Sequence, residues 1–268
     1  MRISDKDDGL THRMPAHFRL WPPSGGGVSP YDDCTTLEIR YVTDAEKLRK
    51  YVPEEFAIIR PVLMIMYEKC SGVQWMGGSQ YSLITVSVPV QYIAGKESID
   101  GVYHLVLWED KAEPILGGRE EAGMPKIFAD IPEFRENGRS LSVNAGHEGR
   151  TFFEMELETG QAYSADELAA INANSGRVVQ FGWRYIPKVG PYPGPALSEA
   201  TYYPVDNAYT SASACSGTVK WTVPSRRQHP TQYDIIAALA ALPLREYLPG
   251  SFRKGLSTMR MDLARSLP

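Results

Sequence analysis

The stretch Tyr81-Ser-Leu-Ile-Thr-Val-Ser-Val-Pro-Val-Gln-Tyr-Ile93 is built almost wholly from β-branched, aromatic and small residues. Side chains of that kind favour the pleated sheet, so the segment reads as a strand, with Pro89 marking a bulge or an edge. Its neighbours read the same way. Pro61 to Tyr67 (PVLMIMY) is a continuous apolar run that predicts a buried strand, and Val102 to Trp108 (VYHLVLW) predicts another.

Further upstream, Thr36 to Val42 alternates as a strand does. Thr43 and Asp44 then supply cap chemistry for a short helix, Ala45 to Tyr51, ended with the help of Pro53. Downstream, Leu141–Val143 and Thr151–Leu157 predict two strands joined through Gly146 and Gly149. Ser164 and Glu167 stand at capping-box spacing before a helix that runs to about Ala173. Val178–Ile186 and Thr218–Val223 read as strands and Tyr233–Leu242 as an apolar helix. Pro187–Pro204, with five prolines, reads as an ordered loop or edge. Many short strands with a few brief helices imply one α+β domain over 1–268, mostly antiparallel β, entered by an arm at 1–30 that holds Pro22, Pro23 and Gly25–Gly27.

Composition narrows the function classes. The chain is 43% apolar and 22% charged with a net charge of −4, an ordinary globular balance. No basic footprint of a nucleic-acid binder is present, and Arg226-Arg227 with His229 reads as a solvated loop. Three well-separated cysteines, Cys34, Cys70 and Cys215, argue against a disulfide framework or a zinc ribbon and fit a reducing cytoplasm. The N-terminus shows no apolar leader segment, and no run is long enough to span a membrane. There is no glycine-rich nucleotide fingerprint, no hydrolase elbow, and no Cys or His pair at ligand spacing, so neither a cofactor nor a metal is expected. His104, in a strand, reads as a packed histidine; Cys34 and Cys70 read as inert buried thiols.

One segment stands apart: Gly117-Gly-Arg-Glu-Glu-Ala-Gly-Met-Pro-Lys-Ile-Phe128. Gly123 permits unusual backbone angles, Pro125 stiffens the chain, and apolar Ile127 and Phe128 follow Lys126 at once. Such a setting can hold one amine in a dry place. A free lysine amine has a pKa of about 10.4 and is not nucleophilic at neutral pH. Burial disfavours its ammonium form. The neutral amine adds to a ketone and loses water to give an imine, whose protonated form is an electron sink for bond breaking at the neighbouring carbon. On local sequence alone, an ordinary surface lysine is the more common reading of such a residue.

The motif Gly118-Arg119-Glu120…Gly123-x-Pro125-Lys126 resembles the active-site motif of acetoacetate decarboxylases, where that lysine forms the Schiff base. Tyr41–Glu54 (YVTDAEKLRKYVPE) looks like the family's early strand, helix and Val-Pro-Glu, and Leu242–Tyr247 (LPLREY) like its C-terminal Leu-Pro segment. The three blocks keep their order from about residue 36 to 260. The resemblance implies a closed, cone-like β architecture, a buried lysine pocket and a homo-oligomer acting on a keto acid, by decarboxylation or by retro-aldol or dehydration chemistry. Lys126, Glu120 and Arg119 are then the catalytic candidates. Arg119 would orient a substrate carboxylate or brace the loop, and Glu120 would move protons. Gly123, Met124, Pro125, Ile127, Phe128, Trp75 and Tyr81 are the pocket candidates, with Met64, Met66, Glu68 and Glu121 behind them.

The chain also departs from that pattern. The family's second lysine is replaced by Ile127, so Lys126 must rely mainly on desolvation. Its pocket arginine and two glutamates fall near Cys34, Leu63 and Gly77. Relatives that run aldolase or dehydratase chemistry carry a glutamine where this chain has Ala122. A non-catalytic binding descendant and a cofactor-free isomerase or cyclase are the alternative readings.

Overall fold

The computed structural model describes residues 14–15 and 27–268, so most of the predicted arm, with His12 and His17, lies outside the described residues. The remainder is organised by strands: β1 (Val28–Val42), β2 (Phe56–Ile58), β3 (Val62–Val73), β4 (Ser79–Tyr92), β5 (Ile99–Glu109), β6 (Lys126–Phe128), β7 (Arg135–Asn137), β8 (Ser140–His147), β9 (Arg150–Ala162), β10 (Arg177–Pro187), β11 (Pro195–Trp221), β12 (Glu246–Arg260) and β13 (Arg265–Leu267). Four helices punctuate them: α1 (Ala45–Arg49), α2 (Ala112–Ala122), α3 (Ala165–Ser175) and α4 (Tyr233–Ala240).

Hydrogen bonding runs β10-β5-β4-β3-β1-β12-β11, and β11 pairs back onto β10, so these strands close a ring. All its joints are antiparallel except β10–β5. Strand β11 is 27 residues long and leaves the ring at its far end to carry β9, β8 and β7 as an extension. The closed, mostly antiparallel architecture is the one expected.

Pairing makes the two faces of each ring strand distinct. One face carries Leu37, Ile39 and Tyr41 of β1, Leu63, Ile65 and Tyr67 of β3, Ile84 and Val86 of β4, and Trp108 of β5. These pack with Val143, Phe153, Met155 and Leu157 of the extension and with Ile236 and Leu239 of α4 to form the main core. The other face lines a cavity that draws residues from every strand of the ring and therefore lies inside it.

Local signals hold where capping chemistry is explicit. Asp44 accepts from Lys47 N at 3.0 Å at the start of α1, and Ser164 with Glu167 forms the reciprocal capping box of α3. The β8–β9 hairpin turns through Glu148 (φ 50°) and Gly149 (φ 76°). Three readings need correction. Helix α1 stops at Arg49, short of Tyr51. Residues 112–122, read as loop, form α2 despite two adjacent glycines. The proline-rich 187–204 segment is loop only to 194. From Pro195 it is strand β11, because Pro195 falls at the first position of the strand, where no ladder donor is needed. Strand β12, which the sequence does not announce, alternates weakly because most of its side chains on both faces are only partly buried.

Candidate active site

Lys126 is presented by a short relay of constraints. Helix α2 ends at Gly123, in the left-handed region at φ 67°, where a β-carbon would strike the backbone of Arg184 at 2.7 Å. Trp183 N donates to Gly123 O at 3.0 Å, so helix end and β10 are locked together. The chain then doubles back: Met124 N returns to Gly118 O, Pro125 O accepts from Leu107 N, and β6 runs parallel to β5. Arg119 donates from Nη1 to Lys126 O at 2.9 Å, so the arginine braces the lysine's own backbone.

The side chain of Lys126 passes beneath α2. Its Nζ donates to Pro114 O at 3.1 Å in the first turn of that helix. Gly118, one turn on, leaves the space it occupies: a β-carbon there would lie 2.4 Å from Lys126 Cδ and 2.8 Å from Nζ. The glycine that weakens the helix is thus what admits the lysine.

Register sets what the amine faces. Lys126 pairs with Leu107 and Phe128 with Glu109, so Leu107, Glu109 and Lys126 share the cavity face while Trp108 and Ile127 turn to the core. The Glu109 Oε1–Lys126 Nζ distance is 2.7 Å, and both groups are almost wholly buried. Apart from that contact neither oxygen of Glu109 has a hydrogen-bond partner. Burial pushes the Glu109 carboxyl up, against the pull of the Lys126 charge. A bulge completes this wall. Val86 pairs with Val106 and Ser87 with His104, leaving Leu105 as the extra residue, which keeps both His104 and Leu107 on the cavity side. His104 Nδ1 meets Ser87 Oγ at 2.9 Å and Nε2 has no partner. Burial lowers the pKa of His104 to about 4; Gln180 beside it acts against the shift and Lys126 adds to it, so the ring is neutral.

The cavity measures about 130 Å³. Beyond this wall it is bounded by the Tyr31, Tyr81 and Tyr203 hydroxyls, which burial pushes well above the ordinary phenol value. Trp75 Nε1 and Tyr81 Oη both donate to Tyr31 Oη at 3.3 Å, and Tyr31 in turn donates to Met259 Sδ. The hydroxyls of Tyr203 and Thr85, like His104 Nε2, are buried without protein partners, so polar atoms converge on space for a ligand. The lining includes the carboxyl groups Glu68, Glu109, Glu113 and Glu121, and among the described residues it holds no arginine.

Of the candidates named from sequence, Lys126, Met124, Trp75, Tyr81, Met66, Glu68 and Glu121 line the cavity. Gly123, Pro125 and Glu120 do not: the first two shape the turn behind the lysine, and Glu120 stays out of the lining while its neighbour Glu121 enters it. Nor does Arg119, whose guanidinium goes to the Lys126 carbonyl. Ile127 packs on the core face by strand alternation, and Phe128 is 43% exposed with its ring against His147. Met64 also stays outside. Leu63 faces the core and Gly77 sits in the β3–β4 turn at φ 66°, so neither position reaches the site. The acids come instead from positions 68, 109, 113 and 121. His104 is packed, as its place in a strand predicts, but its position on the cavity wall, like that of Glu109, follows only from the pairing of β5 with β4 and β6.

Comparison with known proteins agrees with this architecture. The sequence model of the acetoacetate decarboxylase (ADC) family matches residues 13–260. Acetoacetate decarboxylase of Burkholderia cenocepacia (strain HI2424) is 36% identical over 122 residues, 45% of this chain and 44% of that protein, so the match spans less than half of the relative's length. Among solved structures, acetoacetate decarboxylase from Legionella pneumophila superposes with a TM-score of 0.76 at 18% identity, covering 95% of this chain and 92% of that one. The enduracididine biosynthesis enzyme MppR, complexed with pyruvate, gives 0.68 at 14% identity, covering 95% of each chain. Among the described residues no helix is long and apolar enough to cross a membrane.

Proposed function

The chain belongs to the acetoacetate decarboxylase family, and from that premise we propose that it is a lyase that binds a keto acid as an imine on Lys126. The observation that carries this reading is the buried Lys126 amine, 5% exposed, at the wall of a cavity and 2.7 Å from the equally buried Glu109.

An ion pair in a dry enclosure is poised differently from one at the surface. Desolvation penalises both charges, and moving one proton from the ammonium to the carboxylate removes both penalties at once. Glu109, pushed up by burial, is the acceptor for that proton. The neutral amine attacks the keto carbon, and the carbinolamine forms. Glu109 returns its proton to the departing hydroxyl, water leaves, and an iminium remains. A bond to the adjacent carbon then breaks, its electron pair passing into the iminium to give an enamine. Protonation at carbon and hydrolysis release the product and restore the amine. Glu109 does not replace the family's second lysine, which lowers the amine's pKa by its positive charge and gives way here to Ile127; it serves as the proton carrier, and desolvation remains the force that favours the neutral amine.

Between the two reactions the cavity favours aldol-type or dehydration chemistry. Its described lining has no guanidinium to clamp a small β-keto acid but offers several carboxyl groups to carry protons. A neighbour of the same fold, MppR, is solved with the condensation product of pyruvate and imidazole 4-carboxaldehyde bound. Small α- and β-keto acids with borohydride provide the test. A reduced adduct on Lys126 is expected with at least one, formed about 10²–10⁴-fold more slowly in Glu109→Gln. No adduct with any of them, while the protein remains folded, overturns the reading.

A further inference from the structure

A second group of reactive side chains occupies the opposite part of the wall. Cys34 and Cys70 are directly paired across β1 and β3, and Glu68 lies two residues before Cys70 on the same face. Sequence spacing hides this, because 35 intervening residues separate the thiols and only the β1–β3 register unites them. The two Sγ atoms and a Glu68 oxygen all lie within 4.8 Å of one another, and no other cluster of this kind occurs among the described residues. Both thiols are buried and free. Around them pack Tyr31, Val73, Tyr81 and Leu83, with the thioethers of Met66, Met76 and Met259 at the margin.

From this geometry we infer that Cys34, Glu68 and Cys70 form a site for one zinc(II) ion, with its fourth coordination position open to the cavity. The donor set argues for the ion. Two thiolates and one carboxylate suit a borderline-soft divalent cation and disfavour magnesium or calcium, which demand oxygen shells. Three protein ligands with an open fourth position is the arrangement of zinc sites that also hold water or substrate. The open side follows from the fold: Glu68 and Cys70 line the cavity, and Cys34, paired with Cys70 on the next strand, flanks them on the same face.

Binding displaces one proton from each thiol to solvent, since the thiolate and not the thiol is the ligand. The ion would sit in the same chamber as Lys126, where its open position can take a carbonyl or carboxylate oxygen.

The inference does not depend on the Lys126 chemistry, and its test keeps the two apart. The purified, reduced chain is loaded with zinc, dialysed and assayed for metal content; cobalt(II) is substituted as a chromophore. One zinc per chain is expected, with a thiolate-to-cobalt charge-transfer band in the near ultraviolet and protons released in calorimetry. Cys34→Ser and Cys70→Ser should each lower affinity beyond the ~10–100-fold cost of losing only an outer partner. Lys126→Ala should retain the ion fully. Should a serine variant fail to fold, the cobalt spectrum of the wild-type chain decides alone. Zinc lost on dialysis, a cobalt spectrum lacking the thiolate band, retention unchanged in both serine variants, or ready formation of a Cys34–Cys70 disulfide by a chain that takes up no zinc would each overturn the site.

Discussion

Lys126 and Ile127 are adjacent in the chain and live in different parts of the molecule. The lysine faces a chamber beside Glu109; the isoleucine packs into the main core. The same division runs along β5, where Trp108 is sealed in the core and donates to Gln232 Oε1 at 2.7 Å, while Glu109 next to it faces the amine. Each strand of the ring therefore has a face that holds the protein together and a face that lines the chamber. The comparison shows that stability and chemistry are separated here by single-residue steps rather than by regions of sequence.

The sharpest way to break that division is at the 126–127 step. Lys126→Ala should abolish adduct formation and cut turnover by a factor on the order of 10³ or more, with the thermal transition nearly in place. Ile127→Ala should do the reverse, costing about 1–3 kcal/mol in denaturant unfolding while the amine still reacts with borohydride and a keto acid. If both substitutions unfold the protein equally, the two faces are not separable. At the next step along β5, Trp108→Ala should cost about 3–5 kcal/mol, since it empties a large volume and orphans the Gln232 acceptor.

His104 tests the chamber through pH. Its pKa is lowered from 6.5 to about 4, so the unfolded chain takes up a proton that the folded one refuses. Its contribution is intact above pH 6.5 and is lost as pH falls toward 4, by as much as ~3 kcal/mol. Unfolding of wild type and His104→Gln should converge across that window; parallel curves would mean that the chamber admits water freely. Gly118→Ala separates the faces most finely. Alanine favours the helix by up to about 1 kcal/mol. Its methyl would nevertheless collide with the lysine stem, so adduct formation should fall about a hundredfold without loss of secondary structure in circular dichroism.

The core face was readable because apolar runs such as Tyr81–Ile93 and Pro61–Tyr67 announce burial directly. Lys126 was readable because glycine and proline flank it and because the motif resembles that of the acetoacetate decarboxylases. Trp75, Tyr81, Met66, Glu68 and Glu121 are also named from sequence, but the part that His104, Glu109 and Glu113 play in the wall is not, because a closed ring is a property of pairing between distant segments. Helix α2 is hidden by Gly117 and Gly118, whose helical weakness is overridden by packing; of the two roles open to Arg119 the structure shows the bracing one, with the Lys126 carbonyl rather than an acid as the partner.

The seam of the ring joins β1 to β12, near the two ends of the described chain, and β12 also brings Ser257 and Met259 to the cavity. A ribosome adding about 5–20 residues per second finishes Lys126 on the order of ten seconds before it reaches Arg260. Throughout that interval the enclosure lacks a wall, and pairings of such high sequence separation are slow to form even afterwards. The Lys126 side chain therefore stands in open water during synthesis, and it is the last long strand, laid down between β1 and β11, that completes the enclosure around it.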